Sequence, residues 1–576
     1  MEKGVKKMTA NELYSLWLDH AEGEILEELK AVQGDEKEIS RRFGTVQAFG
    51  TAGIRSIMGA GSSLLNDYTV RRVARGLARY MMQNDVNKSC AIGYDCRHNS
   101  QRFAKICATA LAEAGVKVYL YDRLAPTPML SFAVRHLGCG AGMVISASHN
   151  TKEYNGLKCY GPDGCQMTEV PAALVSAEIE KTDMFAPNTA SFEELLASNA
   201  IEYISADVWE AYYTRIAQEC IRPQTVKEVG LKVVYSPLCG AGGEPVQEVL
   251  RRMGATVYLP ESQKEPSGDF ATCPNTNPEN DAAFNESFLL ADTVEHDIVI
   301  ATDPDSDRIA CALKTEKGYQ KISGNEMGCL LLDYILGAYQ REGKMPTAPM
   351  AVMSIVSSPM AVKIAEFYGC HMRICPTGFK YIGAAILELE GENRPEDFIL
   401  GFEESCGYLK GTYCRDKDAV LTAMLICEMA AYYKKQGKTL LQVMDGLYNA
   451  YGFMAATLQS IVFTTPEIKE RCQMKLQSIK TAPPKEVAGI PVVAATDFAS
   501  GIRTTLEDGQ TYQLDFPREN MMRLELAEGG RVIIRPSGTE PKMKLYYTAV
   551  STLSKEDAYE KAALLQEGMT HFLNED

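Results

Sequence analysis

Residues 143–158, MVISASHNTKEYNGLK, open on an apolar run (Met143, Val144, Ile145) that reads as a strand about to end. The run delivers Ser146, Ala147, Ser148, His149 and Asn150 into a turn, followed by Asn155-Gly156 and then Lys158. Small hydroxyl residues beside an imidazole, a carboxamide and a lysine can bring a nucleophile, proton carriers and anion donors together. The same residue types also end ordinary strands in α/β loops. Taken alone, the stretch leaves catalysis and loop chemistry both open.

Upstream, Asn66 starts a helical pattern (Val70, Val73, Ala74, Leu77, Ala78), and residues 91–95 read as a strand. A helix over 103–114 ends at Gly115, and 116–121 is strand-like. Short apolar strands alternating with helices predict an α/β layer fold. The phrase recurs at 231–258, through Ser236-Pro237 and the glycines Gly240, Gly242 and Gly243, and again at 351–374. The spacing exceeds that of a solenoid repeat and predicts three related α/β domains with helical crossovers. Beyond about Gly452 the texture becomes a β-rich meander (490–495, 511–516, 522–526, 531–534). One helix is capped by Thr465 with Pro466 following, and another by Ser554. At the other end, Thr9 and Glu12 form a capping box. The expected domains are 1–205, 206–322, 323–451 and a smaller sheet-and-helix domain, 452–576.

The 576 residues are too many for one core, and 46% apolar content supports a folded chain. A net charge of −16 argues against a broad nucleic-acid or membrane surface but permits one basic cleft. The 17 cysteines lack the spacing of a secreted scaffold or a zinc site, and free thiols in a reducing cytosol are expected. No signal-peptide pattern and no apolar run of about 18 residues occurs, so a soluble, cytoplasmic protein with no membrane span is expected.

Further polar loops follow predicted strands. Residues 48–55, AFGTAGIR, read as a tight small-residue loop whose backbone can approach an anion beside Arg55. Asp303, Asp305 and Asp307, in DPDSDR at 303–308, can converge only if the loop curls, and Mg²⁺ is the natural compensation for their repulsion. A calcium loop fails on spacing, because Arg308 and Lys314 stand where glycine and glutamate are required. Residues 399–408 carry Glu403 and Ser405, suited to vicinal sugar hydroxyls, and Lys380 follows another strand. In residues 535–542, RPSGTEPK, Arg535 supplies a planar fork, Ser537 and Thr539 hydroxyls, and Gly538 backbone access. This makes a phosphate cradle unlike a nucleotide P-loop.

Together these motifs, FGTAGIR, SASHN, DPDSDR, GFEES and RPSGTEPK, resemble the alpha-D-phosphohexomutase family over about residues 17–546, nearest its longer bacterial phosphoglucomutases. The resemblance implies four domains, three of one α/β sandwich type, around a central cleft. It makes Ser148 the phosphoserine, with Asp303, Asp305, Asp307 and a phosphoserine oxygen holding Mg²⁺. Arg55 and Lys158 would lie by the reacting phosphate, with His149 and Lys380 as proton-transfer or positioning groups. Glu403 and Ser405 would grip the sugar. Arg535, Ser537, Gly538, Thr539 and Lys542 would hold the phosphate not in transfer, and Arg308 would support the metal loop or the sugar phosphate.

The implied reaction interconverts glucose 1-phosphate and glucose 6-phosphate through glucose 1,6-bisphosphate, acting as intermediate and activator. The expected partners are small sugar phosphates, without nucleic acid, membrane or an obligatory protein. Two departures stand out: Ser56 where many relatives have glycine, and Tyr408 near the place of a histidine in phosphomannomutase/phosphoglucomutase enzymes. The second weighs against a phosphomannomutase. A phosphopentomutase, an Mg²⁺ phosphatase using Asp303 and a non-enzymatic sugar-phosphate sensor are the alternatives. An acid-stable phosphoserine distinguishes the mutase from the phosphatase.

Overall fold

A computed structural model describes residues 8–47, 49–50, 52–537 and 542–574. The chain forms two compact units. The first holds the chain up to Lys321 together with Ile386–Glu392 and Gly407–Ala431; the second holds Ile322–Ala385, Asn393–Cys406 and the chain from Tyr432 onward. The stretch 323–451 therefore contributes to both.

In the first unit a mixed sheet runs in the order Gly53–Ile57, Tyr154–Tyr160, Ala141–Ile145, Ser89–Tyr94, Lys117–Leu120, Ile201–Tyr203. Its last four strands are parallel, and Tyr154–Tyr160 is antiparallel to both neighbours. Strands Ser89–Tyr94 and Ala141–Ile145 are buried at every position, as a layer covered on both faces requires. Helix Asp67–Gln83 begins where the sequence pattern places it, and the Asn66 side chain caps it. A second sheet places Ile298–Thr302 between parallel Lys232–Ser236 and antiparallel Ile309–Thr315. The loops that follow Ala141–Ile145 and Ile298–Thr302 lie at the carboxyl ends of parallel strands, where α/β sheets bind ligands.

The second unit has Met350–Ser354 flanked by parallel His371–Cys375 and Phe398–Glu403. Its antiparallel C-terminal sheet runs from Phe453–Val462 through Lys542–Ser551, Arg531–Pro536 and Met522–Leu526 to Ile490–Asp497. Thr9 and Thr465 cap their helices as the sequence predicts, Thr9 in a full capping box.

One expectation is corrected here. Residues 53–57 are a strand, not part of a tight loop, with Arg55 opposite Gly156. Asn155-Gly156 lies inside that partner strand, because glycine is needed for close backbone approach: a Cβ on Gly156 would stand 2.6 Å from the Ile54 carbonyl and 2.9 Å from that of Ser146.

Candidate active site

In the first unit, strand Ala141–Ile145 ends at Ser146, whose Oγ accepts from the Ser148 N–H at 2.8 Å. Ser148 adopts φ +52°, an uncommon conformation for a residue with a side chain, and is 3% exposed. Its Oγ donates to Asp303 Oδ2 at 2.8 Å and lies 3.2 Å from His149 Nδ1.

The loop after Ile298–Thr302 does curl. Asp303 Oδ1 accepts from the N–H groups of Asp307 (3.1 Å) and Arg308 (3.0 Å), and Ser306 sits at φ +53°. Asp303, Asp305 and Asp307 offer oxygens within 4.8 Å of one another, all buried. Lys158 Nζ lies 3.1 Å from Asp305 Oδ2 and 3.5 Å from Asp307 Oδ2, and Lys417 Nζ lies 2.8 Å from the latter. Thr127 Oγ1 donates to Asp305 Oδ2 at 3.1 Å. Asp305 Oδ1 and Asp307 Oδ1 are buried without a hydrogen-bond partner. Orphaned carboxylate oxygens at this spacing fit a hard divalent cation.

The electrostatics agree. Burial, reinforced by the charges of Asp305 and Asp307, pushes the Asp303 carboxyl well above the usual carboxylate range. Burial also works against ionised Asp305, but Lys158 outweighs it and holds that carboxyl low. At Asp307, burial and Asp305 are outweighed by Lys417 and Lys158. Burial pulls the Lys158 ammonium down, yet Asp305 and Asp307 raise it overall. Burial and the charges of Arg308 and Arg55 depress the His149 imidazole well below 6.5, so it is neutral at pH 7. Arg55 Nη1 donates to Asn150 Oδ1 at 3.0 Å, and Arg308 Nη1 bonds Glu279 Oε1 at 2.8 Å.

In the second unit, Glu403 ends strand Phe398–Glu403 and is not in the loop expected for it; its Oε1 accepts from the Gly378 N–H at 2.7 Å. Lys380 belongs to the first turn of helix Phe379–Gly391, with Nζ 5.0 Å from the Tyr381 ring centre. Ser405 is partly exposed. Arg535 is on strand Arg531–Pro536, and the Ser537 N–H donates to the Lys542 carbonyl at 2.9 Å. Tyr546 has Glu404, Arg535 and Glu403 as charged neighbours. Gly538 and Thr539 lie outside the described residues.

Models of the phosphoglucomutase/phosphomannomutase α/β/α domains I, II and III match residues 46–185, 210–318 and 323–451, and that of the C-terminal domain matches 478–564. The chain belongs to this family. It is an alpha-D-phosphohexomutase enzyme of four α/β domains, the three larger ones alike and the C-terminal one smaller. It is 35% identical over 536 residues to a phosphoglucomutase of Staphylococcus epidermidis, covering 92% of this chain and 95% of that one. A phosphoglucomutase of Staphylococcus aureus is 34% identical, with 92% and 94% covered. Among solved structures, a family protein from Burkholderia thailandensis aligns with TM-score 0.63 at 17% identity, covering 92% and 98%. Paramecium pp63/parafusin in its open form aligns with TM-score 0.66 at 14% identity, covering 92% and 95%. At these identities the structural likeness concerns the fold.

Sequence reasoning missed two cations of this phosphohexomutase, Lys417 and Arg97. Lys417 lies in the run Arg415-Asp416-Lys417-Asp418 just before helix Ala419–Lys434, whose first thirteen residues are all buried. Charges abutting so apolar a segment must be buried and paired, and that signal was available. Arg97 follows the wholly buried strand Ser89–Tyr94 and is 3% exposed. Among the described residues no helix is long and apolar enough to cross a membrane.

Proposed function

We propose that this enzyme is a phosphoglucomutase. It interconverts α-D-glucose 1-phosphate and glucose 6-phosphate through phospho-Ser148 and glucose 1,6-bisphosphate. The observation that carries the reading is Ser148 Oγ, 2.8 Å from a buried three-carboxylate cluster flanked by two lysines. Asp303, Asp305, Asp307 and an oxygen of phospho-Ser148 would hold Mg²⁺, which when bound supplies charge neutralisation during phosphoryl transfer.

The sugar hydroxyl oxygen forms the new P–O bond as the bond from phosphorus to Ser148 Oγ breaks. The sugar hydroxyl gives up its proton as its oxygen bonds phosphorus; the neutral His149 imidazole takes that proton up and passes it to the departing Oγ, and the same transfer runs in reverse when Oγ attacks the bisphosphate. Lys158, Lys417 and Arg55 offset the transferring charge. Lys380, Glu403 and Ser405 position the sugar. Arg535, Ser537, Gly538, Thr539 and Lys542 bind the phosphate not in transfer, and Arg308 supports the metal loop. We place the domain boundaries near residues 205, 322 and 451. None of the seventeen cysteines is in a disulfide among the described residues, which supports action in the reducing cytoplasm.

The test compares kcat/KM for glucose, mannose, ribose and deoxyribose 1-phosphates, with Mg²⁺, catalytic glucose 1,6-bisphosphate and a Ser148→Ala control. A glucose preference lost in the control is expected. A ribose preference moves the substrate to pentose phosphates, and no serine-dependent turnover defeats the mutase reading.

A further inference from the structure

The Ser148 loop is held from behind by one side chain. Arg97 Nη1 donates to the carbonyls of Thr151 at 2.9 Å and Tyr154 at 3.1 Å, and Nη2 donates to those of Ser148 and Asn150. Its Nε faces Asp95 Oδ2 at 3.3 Å, and neither side chain is exposed. Four guanidinium N–H groups thereby donate to backbone carbonyls of residues 148–154, and the buried Asp95 carboxylate balances the charge. A lysine, with three N–H groups and no fork, cannot satisfy that set.

The guanidinium is itself backed by a segment from the second α/β domain. Phe270, 2% exposed, places its ring centre 5.1 Å from Arg97 Cζ. It does so at φ +47°, where an aromatic residue is an outlier, so the surrounding structure enforces that conformation. Residues 267–270 meet residues 96–98 along their length. The Cys96 thiol lies 3.8 Å from the Ser267 carbonyl, and His98 Nε2 lies 2.9 Å from Asp269 Oδ1. Gly268 comes so close that a Cβ there would stand 2.7 Å from the His98 nitrogen and 2.9 Å from the Cys96 carbonyl. Two residues in the left-handed region, Ser148 and Phe270, thus both contact one buried fork.

We infer that Arg97, braced by Phe270, is a positioning residue for phosphoryl transfer: it fixes the carbonyls of residues 148–154 and so aims Ser148 Oγ at the acceptor. The inference rests on the reading of Ser148 as the phosphoryl carrier. Anchoring the Ser148 carbonyl fixes the backbone on the far side of its Cα, leaving Oγ little freedom except toward Asp303. A displacement of about 1 Å at a reacting atom lowers a rate by about a hundredfold.

The experiment uses the full-length enzyme, phosphorylated on Ser148 with labelled phosphate, in wild type, Arg97→Lys and Phe270→Leu. It measures kcat, KM and the partition of label between sugar and water. Arg97→Lys should lower kcat by about a hundredfold with KM for glucose 1-phosphate within about threefold, and should shift the partition at least tenfold toward water. Phe270→Leu should lower kcat by about five- to tenfold, with the partition moving the same way. A lost folded fraction scales both fates of the label equally and leaves the partition fixed. An unchanged partition in Phe270→Leu overturns the proposal, even where Arg97→Lys fails to fold. If wild type transfers phosphate to another sugar 1-phosphate, the glucose reading falls, and the same partition measured with that sugar decides on Arg97. Label that reaches no sugar at all overturns both.

Discussion

The groups proposed for phosphate chemistry stand in opposite settings in the two units. In the first, Ser148, Asp303, Asp305 and Asp307 are at most 3% exposed, and Lys158 and Lys417 are pinned against the carboxylates. In the second, Arg535 and Ser537 stand partly exposed near a strand end, and Ser405 is likewise open. Buried, fixed charge suits a group that must stabilise a transition state without reorganising. Open donors suit a stationary phosphate that has to be released and regripped each turnover. The difference predicts that damage to the first unit appears in kcat and damage to the second in KM.

Ser148→Ala should break the comparison at its strongest point. Turnover should fall by at least about ten-thousand-fold, since Ser148 is the proposed phosphoryl carrier. Glucose 1-phosphate binding, measured by calorimetry, should change less than about threefold. Next in size is Lys417→Met, which removes the ammonium 2.8 Å from Asp307 Oδ2 while keeping most of the side-chain volume. We expect kcat to drop by about a hundred- to a thousandfold, with more Mg²⁺ required for half-maximal activity. A KM effect without a kcat effect would place Lys417 with the open donors instead.

How much of this was legible in the sequence follows from the same contrast. Strands and helices flanking the site announced themselves through apolar runs and caps such as Thr465, because local chemistry decides them. The triad was legible because three alternating carboxylates have few uses apart from a cation. The arginine loop was misread: Gly53 suggested a tight loop, whereas it permits two strands to approach closely, a property set by the partner strand. Lys417 and Arg97 were missed because their partners lie far off in the chain, at Asp307 and at residues 148–154. Long-range pairing of a buried charge has no local signature beyond its apolar surroundings.

For the open donors the expected effect is smaller and of another kind. Arg535→Ala should raise KM for glucose 1-phosphate by about ten- to a hundredfold, the worth of a lost charge-assisted contact, with kcat within about fivefold. Steady-state kinetics at saturating glucose 1,6-bisphosphate checks it. A kcat loss as large as that of Lys417→Met would erase the distinction between the units.

The last effect is one on stability alone and concerns a buried carboxyl in the first unit that touches no ligand. Asp418 precedes helix Ala419–Lys434 and accepts from Tyr413 Oη (2.6 Å), Tyr212 Oη (2.9 Å) and the Leu421 N–H (2.9 Å). Burial pushes its carboxyl up to about 6 although these donors oppose the shift. Because the folded state holds the proton more tightly than the unfolded chain, folding is favoured below about pH 4. That advantage is lost as pH rises through 6, and above that the ionised carboxylate burdens the fold. Asp418→Asn removes the titration. Its stability relative to wild type should therefore climb by about 2–3 kcal/mol between pH 4 and 6.5 and then level off, as read by urea unfolding. A flat difference would mean that the two tyrosines hold Asp418 ionised throughout, making it one more fixed charge of the kind that surrounds Ser148.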